Sequence, residues 1–213
     1  MSTLGVRPHE IPICWVEGLL STIYDVFLDQ IVDGQIYTKG TGERDPAREH
    51  WTRLHELNLA QNALLVFDRG YYSKELYEDL VSDGCHVLMR LNKGNHLTRL
   101  GSDDFSWTAA SADGKLVLYR VVRVPLPEQS NEEAEYLVTN ITDPSISPAL
   151  LYNLYFERWN IETKYRELKK WWELEEFTGT SCNSIEQELY INLLFSNLAV
   201  SHWGQTVRPA KGI

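Results

Sequence analysis

Asn62-Ala-Leu-Leu-Val-Phe-Asp68-Arg69-Gly70-Tyr71-Tyr-Ser73 is the stretch on which the fold turns. Leu64 to Phe67 is a short, unbroken apolar run, the pattern of a central strand buried on both faces, and it ends abruptly in a carboxylate. Beyond Gly70, Ser73 can cap a helix running to about Ser82, with Gly84 ending it. His86 to Leu91 is a second apolar run and reads as the next strand. Strand, helix and strand in close succession make this an α/β protein.

Upstream, residues 1–11 read as a loose start. Ile13 to Tyr24 and Asp25 to Tyr37 are rich in β-branched and aromatic residues and predict an antiparallel pair of strands joined near Asp25 to Asp29. Gly40 to Asp45 is a turn. A helix follows over Pro46 to Leu59, with Asp45 as N-cap and Pro46 at its first position. Downstream, residues 92–140 change character to strands and turns: Leu116 to Leu126 alternates until Pro125 and Pro127 stop it, and Tyr136 to Ile141 resumes. Beyond Pro148 the chain is expected to be helical through Trp172. A last helix, Ser184 to Trp203, is expected to turn Leu189, Leu193, Leu194 and Leu198 toward the core. There is no internal repeat. The organisation expected is one globular domain in three stretches: 1–91, a β-rich insertion at 92–140, and a helical remainder at 141–213.

A second informative stretch is Tyr155-Phe-Glu-Arg158-Trp-Asn-Ile-Glu162-Thr-Lys-Tyr-Arg-Glu-Leu-Lys169-Lys-Trp-Trp172. On a continuous helix Tyr155, Arg158, Glu162 and Lys169 fall at about 0°, 300°, 340° and 320°, one ridge roughly 21 Å long. Glu162 can offer oxygens to a hard cation such as Mg²⁺, and Arg158 and Lys169 can grip phosphate oxygens on either side. The plainer reading is a solvated helix in which Arg158, Glu162 and Arg166 form i,i+4 ion pairs of about 0.2–0.5 kcal/mol each.

Composition sets limits on both readings. With 213 residues, 43% hydrophobic and 11% aromatic, the chain can build a sizeable core. No apolar run approaches the roughly 18 residues that span a bilayer, and no leader-like segment opens the chain, so a soluble cytoplasmic protein with no membrane partner is expected. Cys14, Cys85 and Cys182 are far apart and have no metal-ligand spacing, and His50 and His55 look structural. A net charge of −10 and a pI near 5.1 oppose non-specific DNA binding. Charge is uneven, however: Arg158, Lys164, Arg166, Lys169 and Lys170 crowd one helix, while acids gather at Glu128 to Glu135 and Glu173 to Glu176.

The spacing Tyr-x2-Arg-x3-Glu-x6-Lys, met at Tyr155, Arg158, Glu162 and Lys169, resembles the signature of the IS4-like family of DDE transposases. Asp68-Arg69-Gly70-Tyr71 at a strand end is similar to the same family's second aspartate motif, and the two motifs stand in the family order. The resemblance covers about residues 10–203. It implies an RNase H-like α/β core, a mixed sheet with flanking helices, interrupted by a β-rich insertion that residues 92–140 match by position. It implies Mg²⁺-dependent cleavage and strand transfer of transposon-end DNA, with Mn²⁺ able to substitute. Asp68 and Glu162 would be catalytic and metal-binding, and Tyr155, Arg158, Lys169 and Arg69 would hold DNA phosphates. Tyr71 would pack beneath the site. Trp107 is either a base-stacking residue or core, with core favoured, and Trp171 and Trp172 are expected to anchor helix packing.

One family element is missing. Leu20 to Asp25 resembles the family's second core strand and Ile31 to Tyr37 its third, so the strand bearing the first catalytic aspartate would lie upstream of Met1. Asp25, Asp29 and Asp33 sit where turn and strand residues belong. The first core strand is therefore expected to be absent, leaving Leu64 to Phe67 with an open edge. The chain would be inactive alone, with a homodimer or a complementing upstream fragment as its protein partner. The competing function is a catalytically dead DNA-binding or dimer-poisoning remnant.

Overall fold

The computed structural model describes residues 2–6, 16–99, 102–127, 130, 132–179 and 181–207. In chain order the elements are β1 (Ser2–Val6), β2 (Val16–Asp25), β3 (Gln30–Thr38), α1 (Arg44–Glu56), β4 (Leu64–Phe67), α2 (Lys74–Ser82) and β5 (His86–Arg90). They continue with β6 (Asp104–Ala110), β7 (Leu116–Pro125), β8 (Ala134–Thr139), α3 (Pro148–Phe156), α4 (Asn160–Trp171) and α5 (Cys182–Val207). The chain divides into two compact units, one made of Met1–Gly42 and Trp159–Ile213, the other of Glu43–Arg158. Among the described residues no helix is long and apolar enough to cross a membrane.

In the first unit β1, β2 and β3 form an antiparallel sheet in that order. The expected β2–β3 hairpin is present, and the expected start of β2 at residues 13–15 lies outside the described residues. Residues 2–6, expected as a loose start, instead pair along the other edge of β2, where they satisfy its backbone groups. Asp25 is a turn residue: its Oδ1 accepts the Phe27 and Leu28 N–H groups at 2.9 Å each. Asp29 takes the left-handed conformation, φ 57°, that closes the turn.

The core of this unit gathers Leu20, Ile31, Leu168, Leu174, Phe177, Leu189 and Leu193. Asn197 of α5 pins β3 at both backbone groups of Ile31, accepting from its N–H at 2.9 Å and donating to its carbonyl at 2.8 Å. Leu189 and Leu193 are buried as expected, whereas Leu194 and Leu198 are 56% and 52% exposed. The helical wheel gives the reason: they lie about 140° and 180° from Leu189. Trp172 packs against this core as an anchor, but Trp171 is 71% exposed with the Lys170 ammonium 5.0 Å above its ring.

In the second unit a mixed five-stranded sheet has the order β4-β5-β8-β7-β6. β4 and β5 are parallel and the other pairs antiparallel. β4 is therefore an edge strand of its sheet, with the open edge expected of it from the family resemblance of its sequence; its apolar run, in which Leu65 and Phe67 are buried, by itself suggests a central strand. The stretch 92–140 supplies β6, β7 and β8 to this sheet. β6 went unassigned in the sequence although Phe105, Trp107 and Ala109 alternate with polar residues, the pattern of a half-buried strand, and they form its less exposed face.

One face of the sheet carries Leu88, Val122 and Leu137 against Leu151 and Tyr155 of α3. On the other, Tyr77 of α2 stacks on Tyr119 at 4.7 Å and donates to the Leu118 carbonyl at 2.8 Å. Trp107 stacks on Tyr119 at 4.8 Å with 6° between the planes and is only half-buried, so it packs on this face without being a core residue. Ser73 caps α2 as expected, accepting the Leu76 N–H at 3.1 Å. Gly84, at φ 85°, ends it with the paired bonds Gly84 N–H to Val81 O and Cys85 N–H to Leu80 O. α1 starts two residues earlier than expected. Its N-cap is Glu43, without a side-chain bond, while Asp45 lies inside the first turn and pairs with Arg48 at 3.3 Å. The acid still faces the positive helix end there.

Candidate active site at the end of β4

The β4–β5 ladder ends at Phe67 opposite Met89, so the next residues, Asp68 and Arg90, emerge at adjacent strand ends. The chain turns at once behind Asp68, where the Tyr71 N–H reaches the Asp68 carbonyl at 3.1 Å. Arg44 of α1 braces that turn by donating to the Tyr71 and Tyr72 carbonyls at 3.3 and 3.2 Å. Tyr71 is half-buried, with its ring centre 5.2 Å from that of Phe67.

The Asp68 carboxylate is gripped on one oxygen. Its Oδ1 accepts the Arg69 N–H at 2.7 Å and the Tyr155 hydroxyl at 3.0 Å. Burial pushes its pKa up, but the Arg69 amide, the Arg158 guanidinium, the Tyr155 hydroxyl and the Arg90 guanidinium outweigh it and hold Asp68 below the ordinary aspartate range. Tyr155 is 2% exposed, and burial together with the Asp68 charge raises its pKa to about 12, so it stays a proton donor. In this state its hydroxyl positions a carboxylate; it does not stand open to a phosphate. The Arg158 guanidinium lies 5.8 Å from the centre of the Tyr155 ring.

Arg69 does two things. Its backbone orients Asp68, and its guanidinium forms an ion pair with Glu132 at 3.4 Å. Arg90, Glu132 and Glu135 were not singled out in the sequence as site residues. Arg90 bonds Glu135 at 2.7 Å and Glu132 at 3.2 Å. Burial raises the pKa of Glu135, with the charges of Glu132 and Asp68 adding to it against the opposing pull of Arg90. The available signal for Arg90 was a cation near the end of the apolar run His86 to Leu91, which follows the one that Asp68 closes.

The single ridge expected for Tyr155, Arg158, Glu162 and Lys169 is broken. α3 ends at Phe156, a 3₁₀ turn occupies Glu157–Trp159, and α4 begins at Asn160. A 3₁₀ turn advances about 120° per residue, not 100°, so the helical wheel does not run through it. The two helices answer to different cores: Leu151 and Tyr155 of α3 are buried in one unit, Lys164 and Leu168 of α4 in the other. Within α4, Glu162 and Lys169 still share a face, about 20° apart. Glu162 is exposed in the first turn of α4, and Lys169 in the last turn pairs with Glu175 at 2.6 Å. Asp68, Tyr155 and Arg158 belong to one unit, Glu162 and Lys169 to the other.

Among the described residues there is no group of three or more His, Cys, Asp or Glu arranged for a metal. The chemistry of Asp68 nevertheless suits a hard cation, since it is held ionised and both of its hydrogen bonds fall on Oδ1.

A family model described as Transposase DDE domain matches residues 15–198. Transposase InsG for insertion sequence element IS4, from Escherichia coli strain K12, is 29% identical over 154 residues, covering 64% of this chain and 34% of that protein. The chain thus spans about a third of the length of this curated relative. Among solved structures, a cryo-EM structure of the piggyBac transposase synaptic complex with hairpin DNA matches with a TM-score of 0.56 at 11% identity. It covers 93% of this chain and 44% of that one, and supports the RNase H-like α/β reading of the fold alone.

Proposed function

This chain belongs to the transposase DDE domain family, and on that premise we propose that it is transposase catalytic-domain sequence acting on the DNA ends of a mobile element. The observation that carries the reading is Asp68, a carboxylate kept ionised at a strand end by an amide, a buried hydroxyl and two guanidiniums. An anion so prepared is suited to a divalent cation. Asp68 is a carboxylate that would hold Mg²⁺, or Mn²⁺ in its place, and the family spacing gives Glu162 the same chemistry. When bound, the ion supplies charge neutralisation at phosphoryl oxygens and lowers the pKa of bound water. Arg158, Lys169 and Arg69 contribute the cations that a DNA backbone requires, and Tyr155 sets the orientation of Asp68.

The isolated chain is expected to bind transposon ends without cutting them, with a second copy or a complementing transposase segment as its protein partner. The site of action is the cytoplasm. The test is incubation of the purified chain with a duplex carrying its element's terminal sequence and Mg²⁺ or Mn²⁺. Retarded migration without nicking, weakened by Arg158→Ala and Lys169→Ala, is expected. Nicking that Asp68→Ala abolishes would instead make the isolated chain a competent enzyme. Absence of both binding and nicking would refute the proposal.

A further inference from the structure

Glu132 makes an unusual pair of contacts. Its Oε1 receives both terminal nitrogens of Arg69 at 3.4 Å, and its Oε2 receives Arg90 at 3.2 Å. One carboxylate therefore spans guanidiniums from two neighbouring strand ends, the bridging geometry that a phosphodiester's two free oxygens also satisfy. These bonds are long for charge-assisted pairs, which settle near 2.7–2.9 Å. Arg90 meets that standard with Glu135, at 2.7 Å. The Arg90 side chain is 14% exposed and that of Glu135 11%, against 22% for Glu132 and 38% for Arg69. Glu135 is thus the fixed partner that keeps Arg90 in place. Glu132 is the loosely held and more exposed one.

We propose that Arg69 and Arg90 form a phosphodiester-binding subsite beside Asp68, which Glu132 fills as an internal anion and vacates when a DNA phosphate arrives. The inference rests on the DNA-end reading above and adds to it the occupant of the site. Exchange keeps the local charge balanced: one anion leaves the guanidiniums as another takes its place, so neither cation is stranded in a half-buried setting. The occupant also explains how a chain of net charge −10 can carry a guanidinium pair without exposing it to adventitious anions.

The experiment measures binding of a fluorescein-labelled duplex to the purified full chain by anisotropy, without divalent metal, over a range of salt. Glu132→Gln removes the competing charge at nearly constant shape. It should tighten binding by about threefold to tenfold and steepen the dependence of log affinity on log salt by about one contact. Glu133→Gln removes an equal charge from the exposed neighbour and should change affinity by less than about twofold. Adding Arg90→Gln to Glu132→Gln should erase the gain. If Glu132→Gln fails to fold, Glu132→Asp, which keeps the charge but falls short of the bridge, carries the test with a smaller gain. No gain in the folded variant, or an equal gain from Glu133→Gln, overturns the inference while leaving the DNA-end reading intact. Absence of duplex binding by every folded form, wild type included, overturns both.

Discussion

Replacing Tyr155 by phenylalanine removes one hydroxyl from a side chain that is 2% exposed and leaves its ring packing against the sheet unchanged. The lost bond is the 3.0 Å donation to Asp68 Oδ1. Hydrogen bonds to charged groups contribute about 1.5–3 kcal/mol. Asp68 keeps the Arg69 amide at 2.7 Å and is itself only half-buried, so water can replace part of the loss. A cost at the lower end, about 1–2 kcal/mol, follows. The hydroxyl is also one of the groups that lower the Asp68 pKa, so its removal must move that pKa upward. The assay is a double-mutant cycle of Tyr155→Phe with Asp68→Ala by urea denaturation at neutral pH, with carboxyl NMR titration of Asp68 in the single Tyr155→Phe variant. Coupling of about 1–2 kcal/mol and a higher Asp68 pKa are expected. Additivity within about 0.5 kcal/mol, or an unmoved titration, would refute the argument that Tyr155 serves the carboxylate.

Gly34→Ala would place a Cβ 2.8 Å from Leu193 Cδ1, so the buried Leu193 side chain must shift in its packing; a loss of about 1–3 kcal/mol in thermal or urea unfolding is expected. Lys164 is 2% exposed and pairs with Asp29 at 3.3 Å. Lys164→Ala should cost more than Lys164→Met, which refills the volume, and equal costs would argue that packing there is irrelevant. Ser73→Ala deletes the α2 cap and should cost about 1 kcal/mol, measurable by the same melts. Because the folded Asp68 pKa is lowered, its contribution is complete above the ordinary aspartate value of about 3.9 and disappears as pH falls through the folded value. The stability gap between wild type and Asp68→Asn should therefore narrow in acid, and a gap that widens would contradict the assignment.

Local signals in the chain were reliable where the physics is local. The Ser73 cap, the Gly84 stop, the β2–β3 hairpin with its Asp25 turn, and the strand ending at Asp68 each depend on a few adjacent residues, and all are present. The continuous helix from Pro148 to Trp172 failed because periodicity cannot register three residues of 3₁₀ turn between helices that serve separate cores. Leu194 and Leu198 were misjudged by counting apolar residues without their angles about α5. β6 was missed although Phe105, Trp107 and Ala109 alternate along it, because a segment of seven residues with small and polar residues between them is a weak signal beside the longer apolar runs.

The residue types and spacing of Asp68-Arg69-Gly70-Tyr71 and of Tyr155 to Lys169 were enough to point to the family, since a family signature resides in short linear patterns. Only the tertiary structure decided that Tyr155 donates to Asp68, and that Arg69 and Arg90 share Glu132. Those partners are 87, 63 and 42 residues apart in the chain. They meet because strand pairing and the packing of α3 bring remote strand ends onto one face, a result of burying the whole sheet that no local stretch encodes.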